Sequence, residues 1–135
     1  MADASPGLRA RPLSPHLLQW RWHVTMTVSI LNRATGMALY GGALALAGWA
    51  LALASGPAAY AMFGGLLGSF LGQVAMIGLT FSLFFHLAGG LRHLVFDFGK
   101  GLAPASASLS AWLIIGFAVV ATAAVWILPH FITDL

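Results

Sequence analysis

Residues 34–91 read ATGMALYGGALALAGWALALASGPAAYAMFGGLLGSFLGQVAMIGLTFSLFFHLAGGL, and no Asp, Glu, Lys or Arg interrupts them. Arg33 closes this run on one side and Arg92 on the other. A helix needs about 20 apolar residues to cross the hydrocarbon core of a bilayer, so the run can hold two crossings. Ala54-Ser55-Gly56-Pro57 marks the break between them, because Gly and Pro end helices and turn the chain. A second charge-free run starts after Lys100 and ends at Asp134, which gives one more crossing. Both runs are continuous where barrel strands would alternate apolar and polar residues. The pattern therefore predicts three helices, at about 30–54, 63–94 and 109–129.

The rest of the composition agrees. The chain has 135 residues, 60% of them hydrophobic, with only six basic and three acidic side chains. That is 7% charged, against about 25% in an ordinary soluble domain, too few to clothe a soluble fold. The absence of cysteine excludes a disulfide scaffold and any thiolate-held zinc or iron–sulfur centre carried by this chain alone. The expected class is an all-α integral membrane protein, with one up-and-down membrane domain over residues 1–135. The second helix looks long. About 30 residues would reach roughly 45 Å against a core of about 30 Å, so it should tilt or begin outside the membrane.

Arg9, Arg11, Arg21 and Arg33 precede or open the first helix, and Arg92 and Lys100 follow the second. The connection between helices one and two and the C-terminal tail have no Lys or Arg. The positive-inside rule then puts the N-terminus and the second connection in the cytoplasm. Residues 1–28 lack the apolar stretch of a cleavable signal and are expected to form a cytoplasmic segment. A bacterial inner membrane is favoured over a mitochondrial one. The net charge of +3 reads as a topology signal and implies no nucleic-acid partner. Trp20, Trp22, Trp112 and Trp126 fall near expected helix ends, as interfacial rings do. Gly64, Gly68 and Gly72 repeat every fourth position, a smooth stripe for close helix packing within the chain or against a partner.

Ionisable groups at membrane depth cost several kcal/mol, so each needs a reason. His86 lies about 9 Å inward of Arg92 at helical rise. Its imidazole needs a hydrogen-bond partner or a metal, and Gly89 and Gly90 beside it leave room for a flat ligand such as a porphyrin. The competing reading is a packed His bonded to a neighbouring helix. His93 shares that face but is about 10 Å along the axis, too far to bind the same iron. His16 and His23 sit in the N-terminal segment and His130 at the opposite end. If His86 binds a six-coordinate haem iron, the second ligand must come from another chain. His93 and Asp97, four residues apart, form either a local interfacial pair or a site for a haem propionate or protons. Ser29 and Arg33 also share a helix face. Arg33 can snorkel to lipid phosphate, or the two can offer donors to a quinone carbonyl or haem propionate. Asn32 lies in the same turn.

Two segments carry a resemblance: Arg11-Pro12-Leu13-Ser14-Pro15-His16-Leu17 with Ser29-Ile30-Leu31-Asn32-Arg33-Ala34-Thr35-Gly36, and His86-Leu87-Ala88-Gly89-Gly90-Leu91-Arg92-His93-Leu94-Val95-Phe96-Asp97-Phe98-Gly99. In order and separation they resemble the signatures of the succinate dehydrogenase cytochrome b subunit, the larger membrane anchor of respiratory complex II. The resemblance implies an anchor that pairs with a second small membrane subunit and carries an iron–sulfur subunit and a flavoprotein subunit. It makes His86 the axial ligand of haem b, with the other axial His on the second anchor. It puts Ser29 and Arg33 at a ubiquinone site, with Arg33 also near the haem propionates and His93 within the motif. Asn32 departs from the family, where many members have His. Succinate oxidation is implied to occur in the soluble subunits, so this chain by itself is not the succinate-oxidising enzyme. The expected work is anchoring and part of quinone reduction. The alternatives are a fumarate reductase-type anchor and a non-redox scaffold or transporter subunit.

Overall fold

The computed structural model describes residues 21–133, the side chains at 130 and 133 excepted. Four helices follow one another: α1 (Val24–Ala54), α2 (Pro57–Gly68), α3 (Phe70–Asp97) and α4 (Pro104–Thr133). Three of them, α1, α3 and the Pro104–Pro129 part of α4, are long and apolar enough to cross a membrane. The short α2 is not among these three. Arg9, Arg11, His16, Trp20 and the first half of the first motif lie outside the described residues.

The helix ends follow from local chemistry. The His23 imidazole accepts from the Thr25 N–H and caps α1, which thereby starts at Val24, six residues ahead of the expected 30. Gly56, at φ 107°, takes the turn after α1, and Pro57 opens α2 where no helical N–H is needed. The expected second helix over 63–94 is two helices. Ser69 is extended, and its hydroxyl accepts from the Gly72 N–H at 3.1 Å, so it both ends α2 and caps α3. The stripe Gly64, Gly68, Gly72 is cut by that break. Gly64 and Gly68 face open space, while Gly72 abuts the carbonyls of Leu66 and Leu67. Among the described residues no helix packs on Gly64 or Gly68, and Gly72 alone of the three makes a close approach, to the end of α2. The C-terminus of α3 has a Schellman closure: Lys100 N–H donates to the Val95 carbonyl at 3.2 Å and Gly99 N–H to Phe96 at 2.8 Å. Gly99, at φ 70°, supplies the left-handed residue this closure requires. α4 opens at Pro104, ahead of the expected 109, and runs on to Thr133 with Pro129 inside it.

α3 is the central helix and packs against both α1 and α4. The pairs Asn32–His86 and Gly42–Leu79 show that α1 and α3 are antiparallel; Arg92–Ser110 and Trp126–Thr80 show the same for α3 and α4. The helices therefore go up and down. The core is small: Val28 of α1, Phe85 of α3, and Ala111, Ile114 and Ala118 of α4. Most large apolar side chains point outward, among them Leu44, Leu51, Leu87, Leu113 and Val120. An apolar exterior around a narrow interior suits a helix bundle solvated by lipid. The buried hydroxyls of Ser82 and Thr122 each donate to the carbonyl one turn earlier, so neither leaves an unpaired O–H in the apolar interior.

Candidate functional site

His86 lies on α3, half-buried against α1. Its Nδ1 is 3.0 Å from the main-chain oxygen of Asn32. A carbonyl oxygen only accepts, so Nδ1 carries the proton. In the neutral ring Nε2 then keeps its lone pair, and no residue of the described chain hydrogen-bonds to it. This is the tautomer that a metal-binding imidazole uses, its far nitrogen tied to a fixed acceptor.

Two glycines permit the contact. A Cβ on Gly36 would stand 3.0 Å from His86 Cε1, so the bare position lets the edge of the ring come close to α1. A Cβ on Gly89 would stand 2.2 Å from Asn32 Oδ1 and 2.9 Å from Asn32 Cγ. Gly36 on α1 and Gly89 on α3 therefore set the helix separation that brings the Asn32 carbonyl to the imidazole. Asn32 turns its side chain into this junction, where Oδ1 is buried with no hydrogen-bond partner among the described residues. Thr35, also buried, shares its one hydroxyl proton between the carbonyls of Leu31 at 2.8 Å and Asn32 at 3.0 Å. Spacing alone gives Gly36 and Thr35 no role, and the expected role of Gly89, room for a flat ligand beside His86, differs from the one seen, which is to admit the Asn32 side chain. The signal available was their place within the two motifs.

Ser29 and Arg33 share the outward face of α1, both exposed. Neither makes a hydrogen bond or ion pair within the described chain. They are free to meet a ligand, a lipid phosphate or a partner. His93 and Asp97 are exposed at the end of α3 and are not bonded to each other; His93 instead sets its ring edge-on to Phe96 at 6.5 Å. The local-pair reading is thereby corrected: i and i+4 put the two on one face, but the imidazole turns to an aromatic neighbour. Arg92 has a different task. Its Nε donates to Ser110 Oγ and its Nη2 to the Ala107 carbonyl, both at 2.9 Å, and its guanidinium lies 4.5 Å from the Phe96 ring centre. It fastens α3 to the start of α4. No cluster of three or more His, Cys, Asp or Glu able to hold a metal occurs among the described residues. His86 is a single donor, and any metal it holds needs ligands from elsewhere.

Comparison with known proteins decides the family. Residues 8–125 match the family model described as succinate dehydrogenase/fumarate reductase transmembrane subunit. This chain belongs to that family. Among its relatives is the succinate dehydrogenase cytochrome b556 subunit of Paracoccus denitrificans, 37% identical over 120 residues, 89% of this chain and 91% of that one. The mitochondrial succinate dehydrogenase cytochrome b560 subunit of Mus musculus is 38% identical over 114 residues, 83% of this chain and 68% of that one. The cytochrome b556 subunit of Rickettsia felis is 29% identical over 117 residues, 87% of this chain and 91% of that one. The chain is thus a membrane anchor of the succinate dehydrogenase cytochrome b kind, as its two motifs imply, and it has both bacterial and mitochondrial relatives.

Proposed function

We propose that this chain is the haem b-binding anchor of a succinate:ubiquinone oxidoreductase in a bacterial inner membrane, with its N-terminus and the α3–α4 connection on the cytoplasmic side. One observation carries the reading: the 3.0 Å bond from His86 Nδ1 to the Asn32 carbonyl, which leaves Nε2 as a lone-pair donor inside a membrane helix. A half-buried imidazole at membrane depth, with one nitrogen spoken for and the other without a partner among the described residues, calls for a group that completes it.

The residues present fit a haem. Among the described residues Nε2 and the exposed Arg33 side chain have no partner, and Gly36, one turn from Arg33, lets the ring lie close to α1. His86 would supply one nitrogen to the iron. The other would come from a His of a second small anchor subunit, because no second imidazole lies at that depth among the described residues. Arg33 holds a propionate by charge-assisted hydrogen bonding. His93, exposed farther along α3, serves as a propionate or proton partner and not as an axial ligand. When bound, haem b supplies one-electron storage between the two anchors.

Ser29 and Arg33 form this chain's part of the quinone site. The Ser29 hydroxyl donates to a quinone carbonyl and orients the ring. Arg33 places a fixed positive charge where negative charge develops on the oxygens as ubiquinone is reduced, the kind of preorganised stabilisation that lowers a barrier. Succinate is oxidised in the flavoprotein subunit, and electrons reach the anchor region through the iron–sulfur subunit, which rests on the basic cytoplasmic face. A fumarate reductase-type anchor would use the same groups with the electron flow reversed. Replacing His86 by Ala in the assembled complex tests the reading: the b-type difference spectrum should be lost or displaced, and an unaltered spectrum would refute the ligand assignment.

A further inference from the structure

Three hydroxyl residues of the helices, Thr80, Ser82 and Thr122, each donate to the carbonyl four residues earlier, at 2.8, 2.8 and 2.7 Å. Those bonds merely satisfy an O–H in an apolar setting. Thr35 differs. Its Oγ1 reaches two carbonyls, Leu31 at 2.8 Å and Asn32 at 3.0 Å. The second of these is the oxygen that receives His86 Nδ1. Thr35 is 5% exposed, so water does not compete for its proton.

A carbonyl oxygen has two lone pairs. Within a continuous helix the Asn32 oxygen also serves the main-chain N–H four residues on. The Thr35 hydroxyl and the His86 Nδ1–H therefore share acceptor capacity that is already partly committed. We propose that Thr35 is a positioning residue for His86: by drawing on the Asn32 oxygen, its hydroxyl holds the Nδ1–H bond of His86 below full strength and so limits how basic Nε2 becomes. This rests on the reading of His86 as a haem ligand. A stronger Nδ1–H bond gives the ring more imidazolate character, which favours oxidised iron and lowers the reduction potential. The hydroxyl thus keeps the potential up.

The test uses the whole complex purified from its membrane, with this chain carrying Thr35→Val, Thr35→Ala or Thr35→Ser. Val keeps the shape and loses the hydroxyl, Ala loses both, and Ser keeps the hydroxyl. The readout is the haem midpoint potential from an equilibrium redox titration. Val and Ala should both shift the oxidised-to-reduced ratio about three- to tenfold toward oxidised iron, tenfold being ~59 mV for one electron. Ser should titrate like the parent protein. If Val does not assemble, the Ala–Ser pair decides the matter. Potentials in Val and Ala within twofold of the parent, an upward shift, or an equal shift in Ser would each overturn the proposal while leaving the ligand assignment intact. That assignment fails separately, by a haem spectrum that survives loss of His86.

Discussion

Gly89→Ala should damage the α1–α3 junction by an amount that the geometry fixes. The new methyl carbon would lie 2.2 Å from Asn32 Oδ1 and 2.9 Å from its Cγ. Comfortable contact begins about 1 Å farther out, so either Asn32 retreats or the helices part by that much. Parting by about 1 Å would stretch the His86–Asn32 bond from 3.0 Å beyond the reach of a hydrogen bond. Overpacking of this kind costs about 1–3 kcal/mol. Loss of the bond adds about 0.5–1.5 kcal/mol. The substitution should therefore destabilise by about 1.5–4.5 kcal/mol if the helices part. Asn32→Ala removes the atoms in the way, and with them a buried oxygen that has no partner among the described residues, so alone it should cost under about 1 kcal/mol. The pair together should recover most of what Gly89→Ala loses. The assay is a double-mutant cycle on purified complexes, read as the thermal midpoint of tryptophan fluorescence at one scan rate. A favourable coupling of at least about 1 kcal/mol is expected. Additive losses would show that the Asn32 side chain does not set the approach of the two helices.

Other outcomes follow from the same contacts. Arg92→Ala removes two donors to α4 and the stacking on Phe96, and Arg92→Lys cannot replace both donors; each should lower the thermal midpoint of the complex by the equivalent of about 1–3 kcal/mol, Ala more than Lys. Ser29→Ala should reduce succinate:ubiquinone activity about two- to tenfold, the worth of one neutral hydrogen bond, with succinate oxidation by an artificial dye maintained. Arg33→Ala should reduce quinone activity by at least about tenfold with the same dye activity, since a fixed charge is lost. Equal loss of dye and quinone activity in either variant would assign the residue to assembly instead.

Much of this architecture is written in where charge is absent. The gap between Arg33 and Arg92 and the run after Lys100 are long enough to announce three crossings, because nothing but a bilayer tolerates such runs. The break after Ala54 was legible because Gly56 and Pro57 both oppose helix continuation. The break at Ser69 was not: Ser is neutral in a helix until its hydroxyl is seen to cap the next one, at Gly72. The extra turns of α1 and α4 were missed for a related reason, since a His cap and a starting Pro are weaker signals than an apolar run. Glycine spacing showed only part of the packing. Of the conspicuous pattern Gly64, Gly68 and Gly72, Gly72 alone closes on another helix of the described chain, while the α1–α3 junction rests on Gly36 and Gly89, which are far apart in sequence and serve one junction only in the fold. His86 stood out because an imidazole at that depth demands a partner. That its partner is a main-chain oxygen could not be read from side-chain types, because every residue has one.

The most direct measurement is a reduced-minus-oxidised absorbance spectrum of the complex carrying His86→Gly, recorded without and then with free imidazole in the buffer. The account predicts that the b-type signal is lost or displaced in the variant and returns as imidazole fills the vacated axial position. A spectrum matching that of the unsubstituted complex before any imidazole is added would mean that this side chain does not hold the iron.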